Sequence, residues 1–211
     1  SGLGGRQQPC VHPQMCQDAT KQKKSVMNQD RLRIRMIIGP TIAILAICLG
    51  PLAVAQVVIG EAIPVVVLDE EQGGLVGGGP WSSASLNGRV HILMYVDPDK
   101  VKVNAHVEDA LAAEGYDRDK VASVAVINMA ATWKPNFAID MLLKKKQEKY
   151  PNTLYVRDLQ RVLVGAWGLV DDGYHVLVIG RNGEVLFSGV NALSEAQVVQ
   201  LISTINQHAN P

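Results

Sequence analysis

Along Val90–Val96 the apolar residues occupy both alternating sets, with Val90, Ile92, Met94 and Val96 on one and Leu93 and Tyr95 on the other. That is the pattern of a strand covered on both faces, central in an α/β sheet. Asp97-Pro98-Asp99 ends the run, because Pro98 has no N–H for a ladder and holds Asp97 extended. From Val103 the spacing changes to Val103, Val107, Ala110 and Leu111, which predicts a helix to about Glu114, stopped by Gly115. A buried strand, a sharp turn and a helix place that turn at the carboxyl edge of a sheet, where α/β proteins tend to keep their sites.

The same reading extends to the rest of the chain. Val121–Asn128 is a second buried strand, and Thr132 is placed to cap a helix running through Pro135, Phe137 and Met141 to Lys149. Lys144, Lys145 and Lys146 suit the carboxyl end of that helix as solvated partners of its dipole. Thr153–Arg157 reads as a short strand and Leu159–Trp167 as a helical turn ended by Gly168. His175–Ile179 and Glu184–Ser188 flank Arg181-Asn182-Gly183, a hairpin in which Asn-Gly is expected to supply positive φ. Ser194 begins a last helix with Ala196, Val199, Leu201, Ile202 and Ile205 on its apolar face. Upstream, Ile63–Leu68 is expected to be a peripheral strand and Asp69–Pro80 a turn and flexible loop, with Trp81 and Leu86 packing onto the sheet. Gly77-Gly78-Gly79 is not followed by Lys-Ser/Thr and so lacks the signature of a phosphate loop. The order β-α-β-α-(β)-β-β-α predicts an α/β fold, a mixed sheet flanked by helices.

Composition divides the chain. Residues 1–55 hold seven Lys/Arg against two Asp/Glu, a net of +5, and residues 56–211 hold 13 against 18, a net of −5. An acidic domain is a poor nucleic-acid binder, since affinity for phosphate backbones depends on cationic side chains displacing counterions. Cys10, Cys16 and Cys48 all fall in the first part, so the second has no disulfide, thiolate metal site or cysteine nucleophile. Residues 1–26 show no apolar periodicity and read as a disordered or over-called extension. Cys10, His12 and Cys16 supply only three ligands and no second knuckle, a weak metal signal.

Residues 27–55 have a basic start with three arginines, an uncharged apolar core from Met36 to Leu52, and Ala53-Val54-Ala55 before Gln56. This predicts a secretory signal peptide cleaved after Ala55 and a periplasmic domain over residues 56–211. The rival reading is an uncleaved anchor in the inner membrane, against which Pro40, Gly50 and Pro51 interrupt the apolar run. A third, a lipoprotein acylated at Cys48, has bulky Ile47 where a small residue is wanted.

The segments GEAIPVVVLD, LNGRVHILMYVDP, VASVAVIN, YPNTLYVRD, AWGL and VLVIGRNGEVLFSG together resemble the thioredoxin-like superfamily of exported and peroxiredoxin-type proteins. More narrowly they are similar to the YtfJ family of bacterial periplasmic proteins, over about Val57 to His208. The resemblance implies a thioredoxin-like mixed sheet flanked by helices, preceded by a signal peptide. Thioredoxin-type enzymes carry Cys-x-x-Cys where this chain has Asp97-Pro98-Asp99-Lys100, and a cis-proline where it has about Tyr174. Oxidoreductase activity therefore does not carry over, and no cofactor is implied.

If that fold holds, the turn at Asp97–Lys100 and the loop at Asp171–His175 face each other. Asp97, Asp99, Asp171, Asp172, Tyr174 and His175 then form a candidate binding edge. Carboxylates with a histidine could hold a hard cation or pair an acid with a base; the alternative is solvated loop acids beside a partly buried His175. His91 and His106 read as ordinary core or surface residues. Two functions follow as expectations. One is a non-catalytic module binding a protein, a peptide or a small ligand, with no nucleic acid and a membrane only through an uncleaved signal segment. The other is a non-thiol or metal-dependent enzyme using the acidic cluster, for which no hydrolase motif is present.

Overall fold

A computed structural model describes residues 56–210. The expected extension, the export segment, the Cys48 acylation reading and the Cys10/His12/Cys16 reading all lie outside the described residues.

A six-stranded mixed sheet organises the fold, in the order β2-β6-β5-β4-β7-β8. Its strands are β2 (Gly73–Leu75), β4 (Val90–Val96), β5 (Val121–Asn128), β6 (Thr153–Asp158), β7 (Tyr174–Ile179) and β8 (Val185–Val190). Strands β4, β5 and β6 run parallel, with Val96 level with Ile127 and Asn128 level with Asp158. Strand β7 pairs antiparallel with β4, β8 with β7, and β2 with β6. β1 (Val67–Leu68) and β3 (Trp81–Ser82) form a separate two-stranded ribbon. The helices are α1 (Ala105–Ala113), α2 (Asn136–Lys149), α3 (Val162–Trp167) and α4 (Glu195–Ala209).

The double apolar periodicity of β4 has the predicted cause, since each set of side chains enters a different core. Val90, Ile92 and Val96 pack with Val107 of α1, Ile139 and Leu143 of α2, and Leu201 and Ile205 of α4. Leu93 and Tyr95 pack on the other face with Leu163 and Trp167 of α3 and with Leu68, Trp81 and Leu86 of the lead-in. Trp81 and Leu86 are thus core, as expected.

Several sequence expectations need correction. Only Val67–Leu68 of the expected Ile63–Leu68 strand is regular, and it pairs with β3. The expected loop at Asp69–Pro80 contains a 3-10 turn, Glu70–Gln72, and then β2, the edge strand. Gly73 sits at φ 131° against Arg157, where an added Cβ would meet the Arg157 carbonyl oxygen at 1.9 Å, so the strand has no side-chain pattern to read. Thr132 does not cap α2; Pro135 stands at the N-cap position and Thr132 bonds elsewhere. In the β7–β8 turn, Gly183 alone takes positive φ (83°), so Asn182 does not share it, and the ladder shifts register at Val178/Ile179. Ser194 does open α4, through a reciprocal capping box with Gln197 worth about 1 kcal/mol. The buried face of that helix is Val198, Leu201, Ile205 and Ala209, whereas Ala196 and Val199 face solvent. In the adjacent pair Val198-Val199 the sequence alone does not choose which residue turns inward.

Candidate functional site

Each parallel strand ends in a polar residue that is almost fully buried: Asp97 just after β4, Asn128 closing β5 and Asp158 closing β6. Parallel register places these ends in one row along the carboxyl edge. A buried polar group needs partners, and the edge is built from those partners.

Asp97 donates its backbone N–H to the Gly173 carbonyl at 3.0 Å, which draws the 171–173 loop against the β4–α1 turn. Its Oδ1 accepts from the Asp99 N–H at 2.8 Å, bending the chain around Pro98. Burial, then proximity to Asp172 and Asp99, raises the Asp97 pKa; the Asp99 N–H bond opposes the rise. Asn128 donates from Nδ2 to both the carbonyl and Oδ1 of Asp171 at 2.9 Å, and its own Oδ1 is buried without a partner. Asp158 accepts from the N–H groups of Val162 at 2.9 Å and Leu163 at 3.0 Å, so it caps α3 from the neighbouring strand. Its Oδ2 also accepts from the Tyr95 hydroxyl at 3.1 Å, and burial followed by this carboxylate drives the Tyr95 phenol far above its usual range.

The outer acids are matched by cations. Lys134 pairs with Asp99, and the Thr132 hydroxyl donates to Asp99 Oδ2 at 2.7 Å; these two bonds hold the Asp99 carboxyl below its usual range. Arg161 Nη1 lies 3.1 Å from Asp171 Oδ2, and its Nη2 donates to the Ala130 carbonyl at 2.6 Å. Lys100 stands 3.7 Å from the well-exposed Asp172, a contact of small energetic weight.

Of the six residues of the expected edge, the fold brings Asp97 beside Asp99 and Asp172, while Asp171, in the same loop as Asp172, turns to Asn128 and Arg161. Tyr174 and His175, being successive residues of β7, point to opposite faces of the sheet. Tyr174 sends its hydroxyl to Glu108 Oε1 of α1 at 3.0 Å. His175 is buried beneath β8 with Nε2 3.0 Å from Ser188 Oγ and Nδ1 unpartnered, and burial pushes its pKa down to about 4. Of the two histidines read as ordinary, His91 is buried and His106 is exposed. Among the described residues no group of three or more His, Cys, Asp or Glu is placed to hold a metal ion. Sequence reasoning missed Asn128, Asp158, Arg161 and Lys134. One signal was available: VHILMYVD, VASVAVIN and TLYVRD are three apolar runs, each ending in Asp or Asn.

Residues 54–208 match the family model described as "Bacterial protein of unknown function (YtfJ_HI0045)". The chain is 23% identical over 130 residues to "Uncharacterized protein YtfJ" of Escherichia coli, covering 60% of this chain and 71% of that one. It is 27% identical over 131 residues to an uncharacterized protein of Haemophilus influenzae, with the same shares of each chain. Among solved structures, a protein of Bacteroides thetaiotaomicron provisionally assigned as a protein disulfide isomerase matches with a TM-score of 0.55 at 18% identity, over 74% of this chain and 92% of its own. BsSco, a member of the Sco family of cytochrome c oxidase assembly proteins, matches at 0.51 and 15%, over 74% and 98%. A Chlorobium tepidum protein provisionally assigned as the thiol:disulfide interchange protein DsbE matches at 0.51 and 18%, over 74% and 100%. At these identities the solved structures speak for the fold alone, which is thioredoxin-like with a central mixed sheet and helices.

Proposed function

The chain belongs to the YtfJ_HI0045 family, and from that premise we propose that it is an exported, non-catalytic thioredoxin-like domain that binds a protein, peptide or small ligand at its carboxyl edge. The observation that carries this reading is the state of the β4–α1 turn. Asp97-Pro98-Asp99-Lys100 stands where thioredoxin-type enzymes hold their cysteines, and residues 56–211 contain no sulfur nucleophile. The side chains of the turn are engaged in holding it: Asp97 folds it, Asp99 ties it to Lys134 and Thr132, and Lys100 reaches toward Asp172. Such an edge offers charge and backbone for recognition but no thiol. Export rests on the 27–55 pattern, with cleavage after Ala55 and a periplasmic destination. Among the described residues no helix is long and apolar enough to cross a membrane, so the anchor reading depends on Met36–Ala55 alone.

One observation favours the second reading, an enzyme using the acids. Asp97 is a buried carboxyl with a raised pKa beside Asp172, as a general acid or a cation ligand would be. A thermal melt separates the two. Millimolar Ca²⁺ or Mg²⁺ is expected to leave the melting temperature of residues 56–211 unchanged, and Asp97→Asn with Asp172→Asn to be neutral or slightly stabilising, by relief of like-charge repulsion. Occupancy at a hundredfold excess over Kd would instead add about 2.7 kcal/mol, a rise of roughly 8 °C. A cation-induced shift that the Asn variants lose would establish the metal-dependent reading. Mass spectrometry of the envelope fraction tests export, expecting Gln56 at the amino terminus; a chain starting upstream and pelleting with membranes would favour the anchor.

A further inference from the structure

Along the parallel strands, and reaching the carboxyl edge at Val96, Val101 and Tyr174, a cavity of about 370 Å³ lies between the sheet and the helices α1 and α2. It exists because these helices bring few large side chains inward. Of the nine residues of α1 only Val107 is buried, and of the fourteen of α2 only Ile139 and Leu143. The floor is apolar, formed by Ile92, Met94, Ala125 and Ile127 of the two central parallel strands. A volume above about 300 Å³ with an apolar floor and a few polar groups is the ordinary form of a small-molecule site.

Four of the chain's five tyrosines line this one space: Tyr116, Tyr150, Tyr155 and Tyr174. They come from four separate parts of the fold, so no local repeat explains the convergence. Burial pushes the phenols of Tyr116 and Tyr155 up to about 12, and Tyr174 higher still, so these hydroxyls stay protonated at neutral pH, while the Tyr150 ring already carries the Lys149 ammonium 5.1 Å from its centre. The Tyr116 hydroxyl is buried with no hydrogen-bond partner. Three ionisable side chains besides the tyrosines line the cavity: Glu108, Asp109 and Lys146. Glu108 is fixed by the Tyr174 hydroxyl at 3.0 Å, whereas exposed Lys146 has a long stem that can carry its ammonium out to water. Two carboxylates, Glu108 and Asp109, against one ammonium, Lys146, leave the lining with an excess of negative charge, and the Glu108 carboxylate, placed at the exposed mouth by Tyr174, favours a cation over an anion.

We propose that the cavity between the sheet and helices α1 and α2 is a binding site for an organic amine, its protonated nitrogen held by Glu108 among the four tyrosines and its apolar body on the floor of β4 and β5.

The test uses tryptamine as probe and indole-3-propionate as its carboxylate counterpart, followed by amide NMR shifts in the folded domain. Tryptamine is expected to move the signals of Met94, Ala125 and Ile127 in a saturable way, and indole-3-propionate to bind at least about tenfold more weakly, the equivalent of one charge-assisted contact. Glu108→Gln should reduce tryptamine affinity about tenfold without changing the melt, because the amide oxygen still accepts from Tyr174. Ala112→Trp, at an exposed position of α1 that lines the cavity, should abolish the shifts by filling it. Absence of shifts at 10 mM tryptamine, on the order of the weakest meaningful affinity, would overturn the proposal. So would equal binding of the carboxylate, or tryptamine binding that survives in both variants.

Discussion

The two faces of the sheet are covered in opposite ways. On one, the short helix α3 and the irregular lead-in pack large side chains tightly, with Trp167, Leu163, Leu86 and Tyr95 at 0–2% exposure. On the other, α4 packs closely through Leu201 and Ile205, whereas α1 and α2 leave the tyrosine-lined cavity beneath them. Regular structure and close packing are therefore separate properties here. The lead-in, mostly turns and short two-residue strands, brings Trp81, Leu68 and Leu86 against the sheet. Helix α2 makes its full ladder while Phe137, Met141 and Leu142 remain exposed. Both faces bury apolar side chains; the first is closed, and the second, the open face, also leaves room for a ligand between the sheet and helices α1 and α2.

The largest expected difference between the faces comes from truncation. Trp167 is fully buried, and its Nε1 donates to the Pro64 carbonyl at 2.9 Å, tying α3 to the lead-in. Trp167→Ala should cost about 3–5 kcal/mol from lost burial and the cavity left behind. Leu111→Ala on the open face, where the side chain is half-buried beside existing space, should cost only about 1 kcal/mol. Urea denaturation of both variants measures the gap; equal losses would mean that the faces are packed alike.

That contrast also explains what could be read from sequence. Strands β4 and β5 were legible because residues buried on both sides give continuous apolar runs, and the acids of the edge because they sit beside Pro98 and Gly173 at chain turns. Strand β2 was not, since Gly73 and Gly74 pair by backbone with no side-chain alternation. The roles of Asn128 and Asp158 depend on parallel register, which no local pattern records. The cavity is less legible still, because Tyr116, Tyr150, Tyr155 and Tyr174 meet only once the strands and two helices are in place.

A pH experiment probes the closed face in a second way. His175 has a folded pKa of about 4 against an ordinary 6.5, and the cause is burial. The unfolded chain takes up the proton first as pH falls, so the stability tied to neutral His175 is complete above about 6.5 and is lost as pH drops through 4. Between pH 7.5 and 4.5 the loss should be roughly 2–3 kcal/mol. His175→Gln keeps a donor for Ser188 and removes the titration, so it should flatten that part of the profile. An unchanged profile in the variant would mean that water reaches His175 and the face is not closed there.

The smallest effect gives the sharpest comparison, because it uses neighbours on one strand. Ala125 and Val126 are adjacent in β5, both nearly buried, with Ala125 on the floor of the cavity and Val126 in the closed core. Ala125→Val adds two carbons toward empty space. It should be neutral or stabilising by at most about 1 kcal/mol, the usual yield of filling a gap with apolar atoms. Val126→Leu adds a single carbon where no room exists, and should cost about 1–3 kcal/mol through displaced rotamers and backbone. The larger insertion is thus expected to be the better tolerated, and because β-propensity favours the same order, the size of the Val126→Leu loss is what reports on packing. Ala125→Val should also weaken tryptamine binding, because it takes up floor the ligand would use. If both substitutions destabilise equally, the open face closes in solution, and the amine site would lose its space along with the contrast between the two sides of the sheet.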